Sequence, residues 1–110
     1  MRKFVAAIAV LLAGASMLAA ADSTTTLLAA AESGDHAAAM RLLSAKGTNV
    51  NATAADGTTA IMYAASNDDV ELVRALIKAG ANVKLKNQFG TSAITEASII
   101  GSAPIIEALL

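Results

Sequence analysis

The sequence predicts an all-α fold in which short helix pairs stack side by side into a solenoid. The first observation is an internal repeat, because five of the eight residues at 57–64 recur 33 positions later at 90–97. The second is that apolar residues within each repeat recur at intervals of three and four, as on one face of a helix. The third is the composition: 55% of the residues are hydrophobic but only 3% are aromatic. Alanine supplies much of the difference, which favours closely packed helices.

The first helix of the repeat is predicted from residue 59 to about residue 66. Thr59 is a residue type that caps helix starts, since its hydroxyl accepts a hydrogen bond from a free backbone N–H. Ile61, Ala64 and Ala65 then lie at i, i+3 and i+4 and give the helix one apolar face.

The second helix is predicted to begin after an acidic turn. Asp69 is a capping residue, and Glu71 suits the positive end of the helix dipole. Lys78 lies in the last turn and Gly80 follows, where a left-handed C-cap is common. The apolar stripe of this helix consists of Leu72, Val73, Leu76 and Ile77.

Polar connectors with turn-forming residues follow the helix pairs at 48–56 and 81–89. They are long enough for hairpin-like fingers. A pair of such short helices cannot bury its apolar stripe alone, although burying one Leu, Ile or Val contributes about 1.5–3 kcal/mol. Neighbouring units must therefore cover each other, which predicts a stack.

The same period places a unit on each side of the central one. Shifting the central unit back aligns Thr59 with Thr26, Ile61 with Leu28, Val73 with Met40 and Gly80 with Gly47. The register of this first unit is open by one residue, because its alanine run allows a slide. In the third unit Pro104 falls near the start of the second helix, where its missing N–H costs little.

The first 21 residues have the three-part pattern of a secretory signal peptide. Arg2 and Lys3 begin the chain, an uncharged apolar run spans 4–18, and small residues at 19–21 precede Asp22. A retained membrane anchor is the alternative. The apolar run is about 15 residues, shorter than the roughly 20 that span a bilayer. We therefore predict a signal peptide at 1–21, cleaved near Ala21, and a mature domain at 22–110.

The mature chain is predicted to be exported, with the periplasm favoured over a eukaryotic secretory route. Cleavage leaves 6 basic against 9 acidic residues, a formal charge of −3. Such a chain has no clustered cations for nucleic acid, and no membrane contact is predicted after cleavage. The absence of cysteine means that packing alone must stabilise the domain.

No residue pattern points to catalysis, and we predict no enzyme activity, no cofactor and no metal. His36 is the single histidine and lies near Ser33 and Asp35, but neighbours in one short turn cannot form an ordered nucleophile–base line. We therefore interpret His36 as a solvated turn residue. The acidic cluster at 68–71 is interpreted as helix caps rather than metal ligands.

Residues 56–88 resemble an ankyrin repeat. The stretch GTTAIMYAA is similar to the family pattern Gly-x-Thr-Pro-Leu-His-x-Ala-Ala, and VELVRALIKAGANV is similar to its second helix and loop. Residues 24–55 resemble a degenerate N-terminal capping repeat, and 89–110 an incomplete last repeat. The resemblance implies an ankyrin-type helix-turn-helix solenoid of about two and a half repeats with finger loops. The family's inter-loop histidine is replaced by Met62 and Thr95, which predicts less rigid fingers.

The resemblance also implies a function: non-catalytic binding of another protein through the finger loops and the concave face of the inner helices. Tyr63 and Phe89 are the leading candidates, since aromatic residues are frequent binding anchors. Ordinary exposure for Tyr63, and packing between fingers for Phe89, are the alternatives. The predicted partner-binding residues are Tyr63, Met62, Ser66, Lys86, Asn87, Phe89, Thr95 and Glu96.

The last helix is predicted to leave an uncapped apolar face, formed by Ile105, Ile106, Leu109 and Leu110. Three explanations stay open: further repeats, a covering partner or second copy, or a face polar enough without a cover. If a partner covers this face, the alternative function is that of a stabilising or inhibitory accessory subunit of a periplasmic enzyme. The sequence does not identify the partner.

Overall fold

The computed structural model describes residues 26–110, and the predicted signal peptide at 1–21 lies outside them. Six helices are described: α1 (Leu27–Ser33), α2 (His36–Leu43), α3 (Ala60–Ser66), α4 (Val70–Lys78), α5 (Ala93–Ile100) and α6 (Ala103–Leu109). They form three units, α1–α2, α3–α4 and α5–α6. This arrangement confirms the predicted all-α helix-turn-helix solenoid.

The helices lie in two layers. The inner layer is α1, α3 and α5, and the outer layer is α2, α4 and α6, with each helix contacting its partner and the same helix of the next unit. The first connector is residues 44–59 and the second is residues 79–92. Each ends in a finger: residues 53–59 form the first, and residues 86–92 the second. This order places both fingers beside the starts of inner helices.

The core follows the predicted stripes. The inner layer buries small residues, with Ala64, Ala65 and Ala97 fully covered, whereas the outer layer buries Leu76 and Ile105. Alanine allows the inner helices to approach closely, and Ile61 and Met62 of α3 are larger inner-layer side chains that are also fully buried. The core therefore runs along the stack between the two layers.

The predicted helix starts are correct, but one capping bond is not formed. Asp69 accepts from the Leu72 N–H at 3.2 Å, as the sequence indicated. Thr59 precedes α3 as predicted, yet its side chain makes no cap bond, and its buried hydroxyl oxygen has no hydrogen-bond partner. Thr59 is therefore a buried core residue, and its side chain does not cap α3.

The outer helix of the first unit begins one residue earlier than the 33-residue period predicts. Asp35, Asp69 and Ser102 cap the outer helices, and the first interval is one residue longer than the second. The sequence had left the register of the first unit open by one residue, because its alanine run allows a slide. The structure aligns Val73 with Ala39, both fully buried, rather than with the half-buried Met40.

Candidate functional site

The two fingers are hydrogen-bonded into one surface. Within the second finger the Asn87 N–H donates to the Thr91 carbonyl at 3.0 Å. Gln88 then bridges to the first finger: its N–H donates to the Asp56 carbonyl at 2.8 Å, and its side-chain amide donates to the Ala55 carbonyl at 3.1 Å. The second finger is therefore fixed on the first by backbone as well as side-chain bonds.

Asn87, a predicted binding residue, uses its side chain inside the protein. Its Oδ1 accepts from the N–H groups of Phe89 at 2.9 Å and Thr91 at 3.0 Å. Its Nδ2 donates to Thr58 Oγ1 of the first finger at 3.2 Å. These bonds connect the fingers although the family's histidine is absent. Asn87 supports the surface rather than offering a free group to a partner.

Phe89 lies at the tip of the second finger with 76% of its area exposed. It does not pack between the fingers, which was the alternative interpretation. The Phe89 N–H donates to Asn87 Oδ1. Lys86, on the same finger, is exposed. A large apolar side chain is thus displayed on a backbone that the hydrogen bonds hold in place.

The inner helices present a second group of predicted residues. Ser66 is exposed, and the residue one repeat later, Ile99, exposes 72% of its area. Tyr63 is half-buried, and burial raises the pKa of its phenol, with the negative charges of Glu32 and Asp56 adding to that rise. The inner-helix surface therefore combines an aromatic ring, nearby carboxylates and an exposed isoleucine.

Met62 was predicted to face a partner, but it is 1% exposed. It belongs to the middle unit, which has a neighbour on each side, and a long apolar side chain there is covered. The equivalent positions of the flanking units, Ala29 and Thr95, are exposed. Met62 is therefore a core residue and is not available for direct contact.

Thr95 and Glu96 lie on α5 at the third unit. Thr95 is exposed, with its hydroxyl 3.2 Å from that of Ser92, and Glu96 is half-buried one repeat after Tyr63. They remain accessible candidates, together with Tyr63, Ser66, Lys86 and Phe89. Ile99 is a further accessible candidate, because 72% of its area is exposed.

His36 was interpreted as a solvated turn residue; its side chain is 41% exposed, but it begins α2 and contacts two carboxylates. Its Nδ1 lies 2.8 Å from Asp69 Oδ2, and its Nε2 lies 3.1 Å from Glu71 Oε1. The hydrogen bond to Asp69 is the main cause that raises the pKa of His36. The 33-residue interval between His36 and Asp69 was visible in the sequence, but the one-residue shift of the first unit concealed that they meet.

The end of the third unit is partly apolar. Ile105 is fully buried, Ile106 and Leu109 are half-buried, and Leu110 exposes 89% of its area. Within residues 26–110, no group of three or more His, Cys, Asp or Glu side chains is arranged to hold a metal ion. Over the same range, no helix has the length and apolar character needed to cross a membrane.

Comparison with known proteins identifies the family. The family model described as ankyrin repeats (3 copies) matches residues 4–87 and 27–110. The chain therefore belongs to the ankyrin repeat family, whose repeats are generally protein–protein interaction modules. The first matched range begins inside the predicted signal peptide, and the second coincides with the described helices.

A solved structure agrees with this assignment. The crystal structure of the human ASB11 ankyrin repeat domain is similar, with a TM-score of 0.70 and 27% sequence identity. The match covers 77% of this chain and 38% of that chain, so the present chain spans well under half of that domain. No curated protein matches the sequence.

Proposed function

We propose that this chain is a non-catalytic binding module of an exported protein, and that it docks a partner protein on its fingers and inner helices. The single observation that carries the proposal is the display of Phe89, which is 76% exposed on a finger fixed by hydrogen bonds. An exposed aromatic side chain on a preorganised loop loses little conformational entropy on binding. Such residues are frequent binding hot spots.

The inner helices extend this surface. Ile99, 72% exposed, adds apolar area on α5, and Tyr63 adds an aromatic ring near two carboxylates. Contiguous exposed apolar patches that are rimmed by polar residues mark interaction surfaces. Ser66, Lys86, Thr95 and Glu96 are proposed as the polar surroundings.

The test is affinity capture from a periplasmic extract with the chain 22–110 as bait. A partner retained by the natural chain should be lost from Phe89→Ala, whose truncation we expect to cost at least about 2 kcal/mol of binding free energy if it is a hot spot. Lys78→Ala is the matched control, since Lys78 is exposed on the outer helix α4. Equal retention by both variants would contradict binding through the fingers.

A second candidate is an accessory subunit that engages a periplasmic enzyme through the end of the third unit. The observation favouring it is Leu110, 89% exposed beside the half-buried Ile106 and Leu109. Leu110→Ser should abolish capture under this candidate and leave it unchanged if the fingers bind. The two variants therefore separate the two modes of binding.

A further inference from the structure

The exposed surface of α1, α3 and α5, here called the inner face, differs in charge from the outer layer. Two acidic side chains lie on the inner helices, Glu32 on α1 and Glu96 on α5, whereas none of these three helices carries a lysine or arginine. The cations of residues 26–110 are on the outer helices and the connectors: Arg41, Lys46, Arg74, Lys78, Lys84 and Lys86. A molecule that approaches the inner face therefore meets negative charge.

The fingers do not reverse this charge at the centre of the inner face. The first finger leads directly into α3 and carries Asp56 but no cation. Lys86 begins the second finger, but it lines a cavity at the end of the stack together with Lys84, Ile94 and Leu109. Positive charge is therefore concentrated beside the third unit, away from α1 and the first finger.

Three elements bring an aromatic ring and two carboxylates together at the centre of the inner face. Burial, and then the negative charges of Glu32 on α1 and Asp56 of the first finger, raise the pKa of the Tyr63 phenol on α3. Asp56 Oδ1 accepts from the Thr58 N–H at 3.0 Å, which fixes this carboxylate in the finger. Glu32 is exposed in the last turn of α1. An aromatic ring with adjacent carboxylates attracts the cationic group of an arginine or lysine.

An apolar side chain lies on the next inner helix. Ile99 of α5 exposes 72% of its area and occupies the position of Ser66 one repeat later. Ser66 follows Tyr63 by three residues on α3, and α3 packs against α5. Packed helices lie about 8–10 Å apart, so one short segment of a partner can contact both helices.

We propose that the inner face docks a partner segment that is both basic and apolar, with an arginine or lysine on Tyr63 between Glu32 and Asp56 and an apolar residue against Ile99. This inference rests on the partner binding proposed above, and it specifies the chemistry of the partner. An acidic segment is disfavoured, because it would bring like charges together on helices that have no cation.

The test measures the affinity of the full chain for three labelled octapeptides by fluorescence anisotropy. The peptides alternate arginine with leucine, glutamate with leucine, and arginine with serine. The arginine–leucine peptide should bind at least about tenfold more tightly than the glutamate–leucine peptide, because the inner face attracts the first and repels the second. It should bind about threefold more tightly than the arginine–serine peptide, which lacks the apolar contact.

Matched substitutions separate the proposed site from general attraction to an acidic chain. Glu32→Gln and Asp56→Asn should each weaken binding of the arginine–leucine peptide about threefold. The Asp56→Asn change keeps an oxygen that can accept from the Thr58 N–H, so the finger should stay in place. Glu107→Gln removes the same charge from an exposed position of the outer helix α6, and it should leave the affinity unchanged.

A second pair of substitutions tests the apolar contact. Ile99→Ser should lower the affinity for the arginine–leucine peptide to that for the arginine–serine peptide, whose own binding should not change. Leu110→Ser is the control, because it removes an exposed apolar side chain from the end of the third unit. Circular dichroism of each variant checks that the helices remain intact.

Three results would overturn the proposal: equal affinity for the basic and acidic leucine peptides, equal effects of Glu32→Gln and Glu107→Gln, or equal effects of Ile99→Ser and Leu110→Ser. None of these measurements involves Phe89 or the captured partner. If Phe89→Ala still abolishes capture, such a result overturns the partner chemistry alone and leaves the proposed function standing.

Discussion

His36 Nδ1 lies 2.8 Å from Asp69 Oδ2, and the two residues are separated by one repeat length of 33. The other ring nitrogen faces Glu71 Oε1 at 3.1 Å. Both nitrogens carry a proton only in the imidazolium form, so this geometry favours a charged His36. The first and second units are therefore joined by an ion pair in addition to their apolar contacts.

Stability should consequently fall as pH rises above the ordinary histidine pKa of 6.5. The pKa of His36 is raised above its ordinary 6.5 in the folded chain, mainly by Asp69. Its stabilising contribution is fully present below the unfolded pKa and is lost as pH rises through the folded pKa. We expect a lower urea midpoint at about pH 8.5 than at about pH 6, and a smaller change in His36→Gln. An identical pH dependence in the two chains would exclude His36 as the cause.

Met62 should matter for stability rather than for partner contact. Met62→Ala removes a side chain that is 1% exposed, and we expect a loss of about 2–5 kcal/mol in the free energy of unfolding. Thr95→Ala, at the equivalent exposed position, should change stability by no more than about 0.5 kcal/mol. Chemical denaturation of both variants measures the difference, and similar values would contradict the burial of Met62.

Asp68 is a favourable position for a stabilising substitution. Its φ is 57°, whereas Gly34 and Gly101 occupy the corresponding turns of the other units with φ of 77° and 74°. A left-handed conformation costs an L-residue roughly 1–2 kcal/mol, and glycine avoids this at some entropic cost. Asp68→Gly should therefore raise the unfolding free energy by about 0.5–1 kcal/mol. The reverse change, Gly101→Asp, should lower it, and thermal unfolding compares the two.

Gly57 should tolerate substitution less well than Gly90. Both have positive φ, 85° and 76°, so alanine is strained at either position. A Cβ on Gly57 would lie 3.2 Å from Asn87 Cα of the neighbouring finger, whereas one on Gly90 has nothing within 4 Å. We expect Gly57→Ala to cost about 1 kcal/mol more than Gly90→Ala, since it also crowds two backbones. Equal losses would show that the fingers separate easily.

Much of the fold was predictable because the same short residue pattern occurs in successive repeats, and each occurrence supports the same helix assignment. The stripe through Leu72 and Leu76, the cap at Asp69 and the connectors all follow from residue types at fixed intervals. The register of the first unit was not predictable to one residue, since adjacent alanines such as Ala38 and Ala39 are chemically identical. That uncertainty also concealed the contact between His36 and Asp69.

The candidate surface was harder to predict for a physical reason. Periodicity shows which residues share a helix face, but not whether a neighbouring unit covers that face, and Met62 was misplaced for this reason. Asn87 was correctly placed on a finger, yet its bonds to Thr58 and Thr91 depend on how two fingers meet. Exposure of Phe89 depends on the same arrangement.

The alanine-rich inner layer has a geometrical consequence. Ala64 and Ala97 are fully buried on the inner helices, whereas the larger Leu72 and Ile105 are buried on the outer helices, so we expect the inner helices to lie closer together than the outer ones. Unequal spacing on the two sides would bend the array towards the alanines, so the arc that a bound molecule must fit would depend on these small side chains. Enlarging Ala64 to valine would widen that arc, and so alter the fit of a docked molecule without changing any residue that touches it.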